Sequence, residues 1–450
     1  MITLEKQDAM SLKLTHVMPD TKQLNLEWYL FIPSEIPLNK NVLTEDDFYY
    51  GAMTEKRSYY SDEILLPLVH SRLAKRGRLS QKQYRVSLSL FAYQYVVALD
   101  RAVKDLNHLD RDSVTEEEVD EVLSLALDIL KRLRRAIPYD ETLKRYYANI
   151  DNYLSWYTEQ HFLSLVAHLP RGGDYSTIKQ RLITLCEKEV AHRELNRYNS
   201  KKARKDATRM SNKMRLLRRL IEYPIVLKKK SNTLGNNTIR AVKGIATGIV
   251  MIFVTSTMLL ARDYLGEITA SFILAMSVVY AFREIFKDDL RDIMMRWIRK
   301  GRPKWRARYF DPTTKQQVGS KIEWLDYTSL SLIPERIKEI RKTRTVQREE
   351  HILGYKNHTK MSTTLFMSGY EQTREVLTIS LAQIARLIEK GSSRLYVLND
   401  GQVSKESVEK RHLLNLIVKE DNNDGTTNYY RYKIVINRSK IVDIEEIKVA

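Results

Sequence analysis

Cysteine is nearly absent: Cys186 is the single one in 450 residues. One thiol excludes an intrachain disulfide and fits a reducing compartment. With no paired cysteine, it reads as a buried apolar residue. A signal core is also missing. Met1–Met10 is polar, so membrane insertion is expected to depend on an internal segment. No internal repeat is visible. Pro170-Arg-Gly-Gly-Asp174 precedes an expected helix but lacks the Lys-Ser/Thr ending of a P-loop, and reads as a helix-to-helix turn.

Catalytic constellations are scarce as well. Glu189-x-x-His192 has the spacing found in di-iron bundles. Such sites need two copies and two further glutamates, so this one reads as a solvated helix surface. His161 and His168 read as core packing. Asp288, Asp289 and Asp292, interleaved with Lys287 and Arg291, read as surface ion pairs. No acid–base or nucleophile set emerges, and no cofactor or metal is expected.

Charge is absent from two stretches, Gly244–Ala261 and Ile268–Phe282, separated by a break at Arg262–Glu267. A bilayer core of about 30 Å needs roughly 20 apolar helical residues. The two stretches therefore predict a transmembrane helical hairpin over 241–282. Small residues recur at four-residue spacing: Gly244 and Gly248, Ser271 and Ala275, Ser277 and Ala281. That spacing lets helices approach closely in lipid, within one chain or between copies.

Positive charge is what the chain has in excess, at a net +19. Arg197–Lys230 holds 13 Lys/Arg against 2 acids, and Arg283–Arg308 holds 10 against 4. These flanks carry +17 of the total. Basic flanks on both sides of an even number of spans place both termini in the cytoplasm, at the inner membrane. The candidate anion-contacting residues are Lys201, Lys202, Arg204, Lys205, Arg215, Arg218, Arg219, Lys228, Lys229 and Lys230. After the hairpin come Arg299, Lys300, Arg302 and Lys304. Anionic lipid is the favoured partner. Nucleic acid is the second, with Trp297, Trp305 and Tyr309 interleaved among the cations for base stacking.

The rest of the chain predicts a β-hairpin over Ser11–Pro33 within an irregular 1–80 segment. A helical bundle follows over 81–230, with a capping box at Ser113-x-x-Glu116 and a basic final helix. Composition makes Lys228–Asn237 a linker, so 231–240 separates bundle from hairpin. A juxtamembrane helix occupies 283–304. An α+β domain over 305–450 holds an amphipathic helix at Thr373–Lys390 and an antiparallel meander at His412–Glu420, Thr427–Asn437 and Lys440–Ile447. The expected fold class is thus a mainly α membrane protein. It has a cytosolic helical bundle, a two-helix transmembrane hairpin and a small cytosolic α+β domain. The expected role is a membrane-anchored scaffold, sensor or effector that acts through protein interaction and self-association. A membrane-tethered nucleic-acid binder and a pore-forming defence effector are the alternatives.

Overall fold

A computed structural model describes residues 2–18, 23–39, 41–60, 80–108, 115–135, 137–169, 175–265, 270–299, 301–341, 350–362, 372–389, 392–399, 402–422 and 425–449. The chain opens with β1 (Ile2–Lys6), β2 (Ser11–Met18), β3 (Gln23–Pro33), α1 (Glu45–Ala52) and β4 (Met53–Tyr60). Six helices follow: α2 (Gln81–His108), α3 (Glu116–Arg134), α4 (Glu141–His168), α5 (Ser176–Leu195), α6 (Lys201–Arg204) and α7 (Ala207–Glu222). Next come β5 (Lys228–Thr233), α8 (Asn236–Leu265), α9 (Ala270–Arg299), β6 (Trp305–Phe310), β7 (Gln317–Thr328), α10 (Glu335–Arg341), β8 (Glu350–Met361) and β9 (Gln372–Ser380). The chain closes with α11 (Ala382–Arg386), β10 (Ser392–Asn399), β11 (Gln402–Glu409), β12 (His412–Asn422), β13 (Thr427–Ile436) and β14 (Ile441–Ile447).

Two antiparallel sheets organise the body. One has eight strands in the order β14-β13-β12-β3-β8-β7-β6-β5, and the other has four in the order β1-β2-β9-β4. They pack face to face: Leu12, Leu14, Leu377 and Ile379 of the small sheet share a core with Trp28, Leu30, Tyr355, Leu416 and Ile434 of the large one. On its other face the large sheet carries α10, whose Ile337 and Ile340 meet Phe31, Ile352 and Ile417. Strand β3 is covered on both faces, so Trp28 to Ile32 is one continuous buried run. The helical layer has its own core. Leu88, Ile129, Leu154, Leu182 and Leu217 pack there, and the cluster reaches Tyr59, Ala307 and Tyr309 on the strands.

With 51% helix and 31% strand, this is an α+β architecture and not a mainly α membrane protein. The helical segment 81–230 is a layer against strands instead of a separate bundle. Three local expectations change with it. Strands β2 and β3 do not form a hairpin; β2 pairs with β1 and β9, and β3 with β12 and β8. The expected helix at Thr373–Lys390 is strand β9 followed by the one-turn α11. Thr373, Glu375, Leu377 and Ile379 are buried at period two, which only a strand places on one face. The expected linker is β5, an edge strand paired with β6. Its run of lysines gives an exposed edge the charge that discourages pairing with another chain. The meander of β12, β13 and β14 stands as expected, and β6 and β7 form a further hairpin. The capping box lies two residues on from the expected one. Thr115 and Glu118 cap α3, and Ser113 falls outside the described residues.

Helices α8 and α9 form an arm inserted into the β5–β6 hairpin. Thr233 pairs with Trp305, and the Leu234 amide donates to the Lys304 carbonyl at 2.7 Å, so the chain leaves and re-enters the sheet at adjacent points. At 1.5 Å per residue, 30 residues make each helix about 45 Å long. Among the described residues one segment is long and apolar enough to cross a bilayer: Asn237–Arg262 in α8, with mean hydropathy 2.0. The two spans expected over 241–282 are corrected to that one. The break expected at Arg262 is still helix, because α8 runs to Leu265; Gly266 and Glu267 fall outside the described residues.

Candidate functional site

The α8–α9 arm is the most unusual surface of the described chain. Helix α8 turns Val242, Ala246, Val250 and Val254 inward at four-residue steps, and Met276 of α9 is buried with them. Most other apolar side chains remain outside. Ile252 is 70% exposed, Phe253 69% and Leu274 71%. Large exposed apolar areas mark contact with lipid or another protein.

Gly244 and Gly248 lie off the buried stripe. A Cβ added at either would meet nothing within 4 Å. Their close-approach face is therefore open instead of packing α8 on α9. Ser277 and Ala281 sit on α9, where the Ser277 hydroxyl donates to its own helix at the Ile273 carbonyl. The side chains of Ser271 and Ala275 fall outside the described residues.

The basic flanks divide by role. Helix α7 buries Met214, Leu217 and Ile221 on the helical layer and turns Arg215 and Arg219 to solvent. On α6, Lys201 and Lys202 are exposed, as is Lys205 just beyond it. Arg204 is paired with Glu194, and Arg218 with Glu222 at 2.9 Å. At the root of the arm Lys228, Lys230 and Arg302 are exposed. Lys228 lies over the Tyr223 ring and Lys230 over Phe310. Two expected contacts are consumed internally. Lys304 is buried between Asp326 at 2.8 Å and Glu45 at 3.4 Å, and Lys229 pairs with buried Glu55 at 2.6 Å. The Arg299 side chain and Lys300 fall outside the described residues. Of the aromatics expected to stack on bases, Trp305 and Tyr309 are buried, and Trp305 stacks on Tyr49 at 3.9 Å. Only Trp297 among the three is exposed.

Behind β5 lies a polar cluster that sequence reasoning missed. Strands β4, β7 and β9 send Glu55 and Arg57, Lys321 and Glu323, and Glu375 into the space between the sheets. Lys321 is fully buried and donates to Glu375 at 2.7 Å, with Glu55 at 3.3 Å and Glu323 at 3.4 Å. Arg57 pairs with Glu375, and the hydroxyls of Tyr49, Tyr309 and Tyr355 donate to Glu323 and Glu55. Burial pushes the Glu55 carboxyl up, but Lys321, Lys229 and Arg57 outweigh it and hold the group well below its ordinary range. With Lys229 included, three cations meet three carboxylates. The set neutralises itself and leaves no charge for a substrate. Its sequence signal was same-face charge at i, i+2 on a strand, as in Glu55-x-Arg57 and Lys321-x-Glu323.

The remaining candidates are also structural. Arg134 holds Glu189 through two hydrogen bonds, at 2.9 and 2.6 Å, while Asp151 bonds His192 at 2.7 Å and Tyr198 at 2.8 Å. Glu189-x-x-His192 thus belongs to a part-buried ion network and not to a solvated surface. His161 stacks on Tyr157 at 4.0 Å. Cys186 is buried, as expected, and burial raises its thiol to about 11. Among the described residues no group of three His, Cys, Asp or Glu could hold a metal. Pro170-Arg-Gly-Gly-Asp174 falls outside them. Comparison with protein-family models, with curated proteins and with solved structures finds no match in any of the three.

Proposed function

We propose that this chain is a membrane-anchored scaffold or sensor. Its α+β body is held at an anionic bilayer by the arm and acts there through protein interaction. The observation that carries this reading is α8, of which only 17% of the apolar window is buried. An apolar helix exposed to that extent needs a lipid or protein phase. The exposed cations at the arm root, Lys228, Lys230 and Arg302, suit headgroup contact worth about 1 kcal/mol each near an anionic surface. Such lipids line the cytoplasmic leaflet, so the body lies on that side. The open face at Gly244 and Gly248 supports pairing of two arms. Burial of Trp305 and Tyr309 removes two of the three stacking residues that a nucleic-acid reading invoked.

Flotation of the full chain with vesicles tests the proposal. Recovery with phosphatidylserine vesicles should exceed recovery with neutral ones. Ile252→Asn with Phe253→Asn should abolish it, and Lys228→Gln with Lys230→Gln should remove the preference for anionic lipid. Equal flotation of the Ile252/Phe253 variant overturns the reading. For self-association, Gly248→Leu should reduce cross-linking between copies in lipid, and unchanged cross-linking excludes that face.

A further inference from the structure

Strands β4 and β9 have two faces, and the second face opens on a cleft of about 500 Å³. Glu55, Arg57 and Glu375 point between the sheets, whereas Lys56 and Arg374 point the other way, toward α2, α4 and α7. The volume falls within the roughly 300–1,000 Å³ typical of small-molecule sites.

Cations outnumber carboxylates along its walls. Glu5 is shared by Lys13 and Lys104, each at 3.2 Å, and Lys104 also reaches Asp100 at 3.1 Å. Glu222 is shared by Lys56 at 2.6 Å and Arg218 at 2.9 Å. Lys6 spends its ammonium on the Ile441 carbonyl. Arg374 has no carboxylate partner among the described residues. Its guanidinium lies 5.8 Å from the Tyr60 ring, and its buried Nε has no acceptor. Burial depresses the Lys56 ammonium, Glu222 partly restores it, and Arg218 and Arg374 add repulsion. The excess is therefore felt inside the cleft. Tyr93, Tyr153 and Tyr157 line the helical wall, with Tyr153 and Tyr157 stacked at 5.7 Å.

We propose that this cleft binds an organic phosphate of mononucleotide size, its phosphate between Arg374 and Lys56 and its organic part along the tyrosine wall. An arginine whose Nε has no acceptor among the described residues supplies the two-pronged hydrogen bonding that phosphate oxygens accept. The tyrosine wall favours a ligand with a flat or apolar portion over inorganic phosphate alone. This site is independent of the arm, and failure of membrane attachment leaves it standing.

Calorimetric titration of the full chain with AMP, GMP, CMP and UMP, alongside adenosine and inorganic phosphate, tests it. At least one monophosphate should bind, at least about tenfold tighter than both adenosine and phosphate. Arg374→Gln should weaken that binding by at least about tenfold without moving the melting temperature, and Arg374→Lys, which keeps the charge and loses the two-pronged geometry, should fall between the two. Absence of binding by all four nucleotides overturns the proposal, as does wild-type affinity in R374Q. If R374Q instead loses only its binding to phosphatidylserine vesicles, the cations read a lipid headgroup and the proposal fails.

Discussion

Lys321 has no exposed side-chain surface and faces three carboxylates within 3.4 Å. Removing one member of a buried ionic set leaves the others uncompensated and costs about 3–5 kcal/mol. Lys321→Met should therefore lower stability by about that amount in a denaturant titration, whereas Lys201→Met, on an exposed site, should change it by less than about 0.5 kcal/mol. Equal effects would show that the cluster is slack. Acid should act on the same kind of group. Burial raises the Asp100 carboxyl, but the His161 hydrogen bond and Lys104 outweigh it and hold it at about 2, against an ordinary 3.8. Glu55 and Glu222 are depressed in the same direction, each by its cation partners. A depressed carboxylate contributes its full stability above the ordinary pKa and loses it as pH falls through the folded one. The melting temperature should hold steady from neutrality to about pH 5 and fall below about pH 4. A drop between pH 7 and 5 would contradict this assignment. Composition could not expose the cluster, because Glu55, Arg57, Lys321 and Glu375 look like surface charge until strands β4, β7 and β9 converge.

At the scale of elements, local signals held where they were sufficient by themselves. The meander of β12, β13 and β14 was readable because its turns and alternation lie within one stretch of chain. Strand β9 was misread as a helix, since Val376, Leu377, Ile379 and Leu381 satisfy either period until burial singles out Leu377, Ile379 and Leu381. Strand β5 has the sequence Lys-Lys-Lys-Ser-Asn-Thr, with no apolar residue to mark it. Its pairing with β6 closes across the whole arm, and no sequence window contains both strands. That pairing makes the arm removable. Joining Leu234 to Lys304 through Asn-Gly, a two-residue hairpin turn, should give a body that melts within about 3 °C of the full chain, on the order of the shift that 1 kcal/mol produces in a domain of 150–250 residues. Collapse of the body would mean that α8 and α9 are part of its core. At the start of α3, Thr115→Ala removes half of a capping box and should cost about 1 kcal/mol in the same denaturant titration. No measurable loss would show that the box adds nothing.

For the whole molecule, the apolar arm was legible and its setting was not. Gly244–Ala261 announced itself as an uncharged run, and it is the exposed helix of the described chain that meets the span criterion. The excess positive charge was read as one membrane-facing belt. The fold distributes it: Lys229 neutralises buried Glu55, Lys304 is itself buried against Asp326 and Glu45, Arg218 lines the cleft, and Lys228, Lys230 and Arg302 remain at the arm root. In the proposed arrangement a folded α+β body depends on the arm for its attachment. Fractionation of cells expressing either the full chain or the Asn-Gly-joined body tests this arrangement. The full chain should enter the membrane fraction and the joined body the soluble fraction, with the circular dichroism and melting of a folded protein. A joined body that stays with membranes, or a full chain that is soluble and monodisperse without lipid, would contradict it.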